Sequence, residues 1–279
     1  MADATHEAEG AGPDAKPTRD LIKRGVKRPN KLGTLTFIGL RALDVPLQYN
    51  LLAGARWGPA LLARLGIASR PLAGFALATG LAPLDNLRLP APHLILVAMS
   101  AAAAAKQIYW LVSLSNEEFP ALTAAVPVSA YNTVVNSLNA LLFLASTTSV
   151  LAGRDTVDSL PLPVLVGAAL FAVGMTLETV SEHQRKVCKD RPANEGKVMK
   201  TGLWRLARHI NYGGYALWRA GYCMAASGWV GGLAMGLLQS YDFVSRAVPV
   251  LDRYCGGRYG AQWTQFKREV PYVILPGIY

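Results

Sequence analysis

Apolar residues in this chain fall in long runs rather than in strict alternation. Runs of bilayer length occupy about 34–55, 92–114, 121–150 and 161–181, and a helix needs roughly 20 residues to cross the hydrocarbon. The stretch 57–86 breaks the pattern, because Arg64 and Arg70 interrupt it. Its cleaner part, "PLAGFALATGLAP", is too short to span comfortably, so a tilted helix, a re-entrant segment and an interfacial one all fit it. From Tyr212 to Leu238 the chain is apolar again but holds several glycines and Arg219, which leaves a helical hairpin or one long helix. The pattern predicts an all-α fold: a polytopic, multi-pass integral membrane bundle.

Composition agrees. Hydrophobic residues make up 52% and charged residues 16%, where a soluble domain carries about a quarter charged. The formal net charge of +10 does not point to nucleic acid, since the cations lie in an amino-terminal arm and beside apolar runs. Lysine and arginine are dense in 1–31, 185–208 and 246–268, which places all three on the cytoplasmic side, against anionic membrane lipids. That orientation needs an even number of crossings between the arm and 185–208, and the four clean runs supply it without 57–86. Residues 1–33 read as a disordered arm that becomes basic from Lys16, 34–160 as amino-terminal transmembrane helices, and 161–279 as a carboxyl-terminal membrane domain. No signal-peptide pattern opens the chain, so the first membrane helix does the targeting, with the endoplasmic reticulum the default membrane. Three distant cysteines and four scattered histidines form no metal-type or disulfide pattern, and no metal is expected.

Polar residues inside the runs carry more information. Lys106 sits deep in "HLILVAMSAAAAAKQIYWLVSL" beside Gln107, Tyr109 and Trp110. It marks a site or a buried partner, or else it snorkels from a shifted helix. Asn132, Asn136 and Asn139 fall at i, i+4 and i+7 and share one helix face, either as interhelical glue or as the polar wall of a ligand cavity.

The richest chemistry follows Gly174, in "GMTLETVSEHQRKVCKDRPANEGKVMKTGLWRLARHINYGGYALW". On a continuing helix, Glu178, Glu182, Arg185 and Lys189 form one stripe. Pro192 and Gly196 then break it, and Arg205, Arg208 and His209 precede the return to apolar sequence. Gly213–Gly214 permits close backbone approach. Arginine and lysine at a membrane edge suit phosphate oxygens, so a cofactor with a charged phosphate end and a flat reactive end fits a pocket facing the cytoplasm, formed by the carboxyl-terminal helices and loops.

The run "E-x-x-x-E-x-Q" at Glu178–Gln184, then "PANEGK", then "GLWRLARHINYGG", resembles the carboxyl-terminal domain of the steroid 5-alpha-reductase superfamily. The ending "DRYCGGRYGAQWTQFKREVPYVILPGIY" is similar to that of the sterol C14 and C24(28) reductases. The likeness covers roughly the last 110 residues. It implies reduction of a carbon–carbon double bond in a lipophilic steroid, sterol or isoprenoid-like substrate by NADPH, which extra positive charge favours over NADH. It further implies that Gln184, Arg185 or Lys186, and Lys189 hold the adenosine and phosphate end. Arg208, His209, Asn211 and Tyr212 would meet the diphosphate and nicotinamide. Trp204 and Trp218 would wall the pocket, and Asp252, Arg253, Arg258, Tyr259 and Trp263 would close it, with Tyr272 behind.

Two departures stand out. Ile210 replaces a usual proline, and Tyr215 stands where an acidic residue normally follows. Either the chemistry uses another acid, with Tyr212, Glu178 and Lys106 as the catalytic candidates, or activity is lost. Two alternatives follow: an S-adenosylmethionine-dependent membrane methyltransferase of the isoprenylcysteine or phospholipid type, and a non-catalytic lipid-binding relative. The paired acid usual in such methyltransferases is absent, with only Asp252 before "RYCGGRYG".

Overall fold

The computed structural model describes residues 28, 30–53, 57–70, 76–152, 156–157 and 160–279. Nearly all of the basic arm, and part of the ambiguous 57–86 stretch, lie outside the described residues. The fold is mostly helical: α1 Lys31–Leu52, α2 Trp57–Arg64, α3 Ala82–Asp85, α4 Ala91–Tyr109, α5 Val126–Leu144, α6 Leu162–Lys189, α7 Ile210–Asp242, α8 Val248–Tyr259 and α9 Ala261–Glu269. A minimal antiparallel ribbon, Thr156–Val157 with Leu160–Pro161, precedes α6. Prolines set many of the starts: α3, α4, α5, α6 and α8 each carry one in the first helical positions, where the missing N–H costs nothing.

Among the described residues three stretches are long and apolar enough to cross a membrane: Ala91–Leu114, Leu162–Lys189 and Ile210–Tyr259. The chain is a membrane protein. In the 57–86 stretch the described helices have eight and four residues, too short to cross. Helix α6 runs unbroken from the apolar sequence into its charged extension. It stops just before Pro192, which drives Arg191 into an extended conformation (φ −82°, ψ 122°).

The Tyr212–Leu238 stretch is a hairpin. Helix α7 breaks at Ser227–Gly228, with Gly228 at φ 81°, ψ −168°, a conformation open essentially to glycine alone. Its two arms then lie side by side. A Cβ on Gly232 would stand 2.6 Å from that of Met224, one on Gly236 would stand 3.3 Å from Ala220, and Phe243 returns to stack on Tyr212 at 4.5 Å. The chain therefore leaves α7 at the end where it entered.

The first arm packs antiparallel on α6, and glycines at heptad spacing make the contact. Gly167 meets Gly221 and Ala225, and Gly174 meets Gly214 and Trp218 backbone to backbone. Small residues let membrane helices approach closely when no hydrophobic drive separates helix from lipid.

Helices α1, α4 and α5 solve the same problem with side chains. Arg41, wholly buried on α1, donates from Nη1 to Asp44 (3.0 Å) and from Nε to Gln107 on α4 (2.8 Å). Asp44 also accepts from Gln48 at 2.9 Å and from Asn136 on α5 at 2.7 Å. Gln107 donates to Asn132 at 2.8 Å, and Asn139 accepts from Cys223 on α7 at 3.1 Å. All three asparagines of the α5 face thus bind another helix.

Candidate functional site

The glycine contact between α6 and α7 fixes the first part of the site. Glu178 lies one turn beyond Gly174, and a side chain at Gly214 would strike its backbone (2.6 Å to Glu178 N). At that position the Glu178 carboxylate pairs with Lys106, reaching over from α4. It also accepts the Trp218 indole N–H at 2.7 Å. Both members of the ion pair are largely buried. Lys106 is therefore held by a buried partner and does not snorkel. Tyr215 meets Trp218 edge-on at 4.9 Å, with Phe243 on its other side.

One turn further along α6, Glu182 is buried and gathers two donors. Asn211 Nδ2 donates to it at 2.7 Å and Arg185 at 2.7 Å. The bond to Glu182 orients the Asn211 amide, and its Oδ1 is left buried with no protein partner. Gln184 accepts the Leu203 N–H at 2.9 Å, and Trp204 donates to the Ser181 carbonyl at 2.9 Å. These two bonds clamp the Gly202–Arg205 turn onto α6. Gly202, at φ 61°, has Gln184 where a Cβ would be.

The carboxyl-terminal segment forms the opposite wall. Arg208 and His209 donate their backbone N–H groups to the carbonyls of Tyr272 (3.0 Å) and Val273 (2.7 Å). The Arg208 guanidinium donates to Val270 and Pro271 carbonyls at 2.8 and 2.9 Å. Its burial lowers its pKa from the ordinary arginine value, against the opposing pull of Asp252. Gly213 gives close passage to Ile274, and Gly214 to Glu178. The glycine pair thus serves the protein's own packing. His209, Tyr212 and Phe243 form a ring stack, and Trp263 stands 6.3 Å from His209. Trp263 donates to Asp252 at 2.7 Å, and Lys267 pairs with that same carboxylate at 3.1 Å.

The loop cations are mostly engaged. Lys186 pairs with Asp190 at 2.9 Å. Lys189 donates to Tyr259 at 3.1 Å and to the Lys197 carbonyl. Arg258 donates to Tyr254 at 3.1 Å. Arg253 and Arg205 are exposed. The candidate residues thus gather into a Lys106–Glu178 pair, an Asn211–Glu182–Arg185 cluster and an aromatic wall of His209, Tyr212 and Trp263.

Two buried cations complete the picture, neither of them among the candidates read from the sequence. Arg41 anchors the amino-terminal network. Arg219 is enclosed by the rings of Trp218, Tyr131 and Tyr215 at 4.3, 5.2 and 5.3 Å. The signal was present, since an arginine inside an apolar run is itself a marker.

The comparisons place these carboxyl-terminal residues in a steroid 5-alpha-reductase-like family. The profile described as "Protein of unknown function (DUF1295)" matches residues 123–260, and the chain belongs to this steroid 5-alpha-reductase-like family. It is 37% identical over 242 residues to a probable O-methyltransferase, ustE, of Ustilaginoidea virens, covering 86% of this chain and 84% of that one. It is 29% identical over 99 residues to 7-dehydrocholesterol reductase of Xenopus laevis, covering 33% of this chain and 20% of the reductase. With Delta(14)-sterol reductase of Methylotuvimicrobium alcaliphilum it shares 29% over 102 residues, or 34% and 22% of the two chains. The chain spans about a fifth of the length of these sterol reductases.

Proposed function

We propose that the protein is an NADPH-dependent membrane reductase of a carbon–carbon double bond in a lipophilic, sterol- or isoprenoid-like substrate. One observation carries the reading. Segment 202–214, which resembles the steroid 5-alpha-reductase superfamily, and segment 252–279, which resembles the sterol reductases, are remote in sequence yet form one wall through the bonds of Arg208 and His209 to residues 270–273. That wall faces the buried acid Glu182. The orphaned Asn211 Oδ1 suits a cofactor that presents an amide N–H, as the nicotinamide carboxamide does. Arg185, Lys186, Lys189, Arg253 and Arg258 would hold its phosphates, Lys186 by exchanging its Asp190 carboxylate, and Lys189 its Tyr259 hydroxyl and Lys197 carbonyl, for a phosphate partner.

The cofactor would supply the hydride. The protein's part is to fix the rings, exclude water and hold a proton. Tyr212, stacked between His209 and Phe243, is the proton donor in this reading. The Lys106–Glu178 pair, tied to Trp218, would hold two opposite charges in fixed positions one turn away along α6 from Glu182. Tyr215 offers a hydroxyl and no carboxylate.

Methyl transfer from S-adenosylmethionine is a second reading, favoured by the relative that matches along most of both chains. Purified protein titrated with NADPH, NADH and S-adenosylmethionine while its Tm is followed separates the two, because a ligand of the native state raises Tm. The expected result is a rise with NADPH larger than with NADH, weakened more by Arg208→Ala than by Arg64→Ala. A rise with S-adenosylmethionine alone replaces reduction with methyl transfer. No rise with any of the three favours a non-catalytic lipid-binding protein.

A further inference from the structure

Arg219 is 1% exposed, and among the described residues no carboxylate pairs with it. Its Nε and Nη2 donate to the Tyr215 hydroxyl at 3.2 and 3.1 Å, and Nη2 also donates to Asn132 Oδ1. Its Nη1 is buried without a protein partner. The neighbouring charges do not compensate it. Asp44 is taken by Arg41, and Glu178 by Lys106. Arg41 is balanced by Asp44, but its Nη2 is also buried and unpartnered. The two guanidiniums end one hydrogen-bonded chain, Arg41–Gln107–Asn132–Arg219, in which both amide oxygens are already used as acceptors.

One uncompensated positive charge and two unpartnered guanidinium nitrogens thus sit inside a membrane bundle. An unpaired buried guanidinium is costly, and a partner is the expected remedy. A single negative charge balances the excess, whereas a phosphate dianion would overshoot it. A neutral hydroxyl would leave the charge standing. One exposed side chain separates Arg219 from the surface of the bundle. Tyr131, 44% exposed on α5, covers Arg219 with its ring, and its hydroxyl donates to Gln239 on the second arm of α7 at 3.1 Å. Breaking that one bond and turning Tyr131 outward would open Arg219 between α5 and α7.

We propose that Arg219 is the headgroup seat for a lipophilic monocarboxylate, which enters laterally past Tyr131 and supplies the missing negative charge. The seat does not depend on which cofactor the neighbouring site takes.

Oleate and methyl oleate, which differ only in that charge, test it in neutral-lipid nanodiscs. Oleate is expected to raise Tm by about 5 °C and the ester by less than about 1 °C. Arg219→Gln should abolish the difference. So should Tyr215→Glu, which places a carboxylate one turn from Arg219, and this variant decides the matter if Arg219→Gln does not fold. Arg205→Ala, at an exposed cation, should keep the difference. The proposal is overturned if acid and ester act alike on the unaltered protein, or if neither stabilises it. It is equally overturned if the difference survives Tyr215→Glu or disappears with Arg205→Ala. Titrating NADPH and S-adenosylmethionine in the same nanodiscs tests the cofactor reading separately.

Discussion

The two halves of the bundle hold their helices together in opposite ways. Helices α1, α4 and α5 meet through side chains: a buried Arg41–Asp44 pair and amides handing hydrogen bonds from one helix to the next. Helices α6 and α7 meet through the absence of side chains, at Gly167, Gly174, Gly214 and Gly221. Close backbone contact gives a rigid frame and places Glu178 firmly. A polar network tolerates internal charge, and the unbalanced cation, Arg219 of α7, lies where the two halves meet, bonded to Asn132 of α5. In the readings proposed above, the glycine frame would support the cofactor and the seam between the halves would receive the carboxylate.

That contrast can be broken from either side. The largest effect is expected from Asp44→Ala, which strands Arg41, Gln48 and Asn136 at once. Removing one partner of a buried pair costs about 3–5 kcal/mol, and the variant should show a strongly reduced Tm or fail to purify as a single species. Asp44→Ala with near-native stability would mean that the network is ornamental. Gly174→Val comes next. Its side chain overlaps the Gly214 and Trp218 backbones, and overpacking of this kind costs about 1–3 kcal/mol. It should also displace Glu178 from Trp218, which tryptophan fluorescence would report. An unchanged spectrum would show that the frame yields without moving the site.

The smallest effect lies outside the membrane. Lys200 and then Gln265 hold Glu269 below its ordinary carboxylate pKa. A lowered folded pKa stabilises above the unfolded value, and the gain is lost as pH falls through the folded one. Unaltered protein should therefore exceed Glu269→Gln slightly in Tm at neutral pH, and the gap should close as pH drops below about 4. A constant gap would remove the ion pair from consideration.

How far the sequence reached follows from the range of each contact. The α6 extension, its stop at Pro192 and the shared face of Asn132, Asn136 and Asn139 are local periodicities, and all are visible in the chain. For Lys106 a buried partner and a snorkelling side chain both stayed open, because the Glu178 that decides it lies on another helix. The 212–238 stretch left hairpin and single helix open. The glycines 228, 232 and 236 decide it only once the arms are seen to pack on each other. Gly213–Gly214 was legible as a point of close approach, but what approaches is the chain's own tail and α6, which no short-range pattern discloses. Arg41 and Arg219 stood in plain view, and their connection through Gln107 and Asn132 is purely tertiary.

The turn at Ser227–Gly228 has a consequence for how the chain is made. At roughly 1.5 Å per residue the 33 residues of α7 would reach about 50 Å if straight, well beyond a hydrocarbon core of about 30 Å. Folded at its middle, it can enter the bilayer as a preformed pair of arms during synthesis. The lysines and arginines that flank it on both ends then never travel through oil, and nothing has to drag them across.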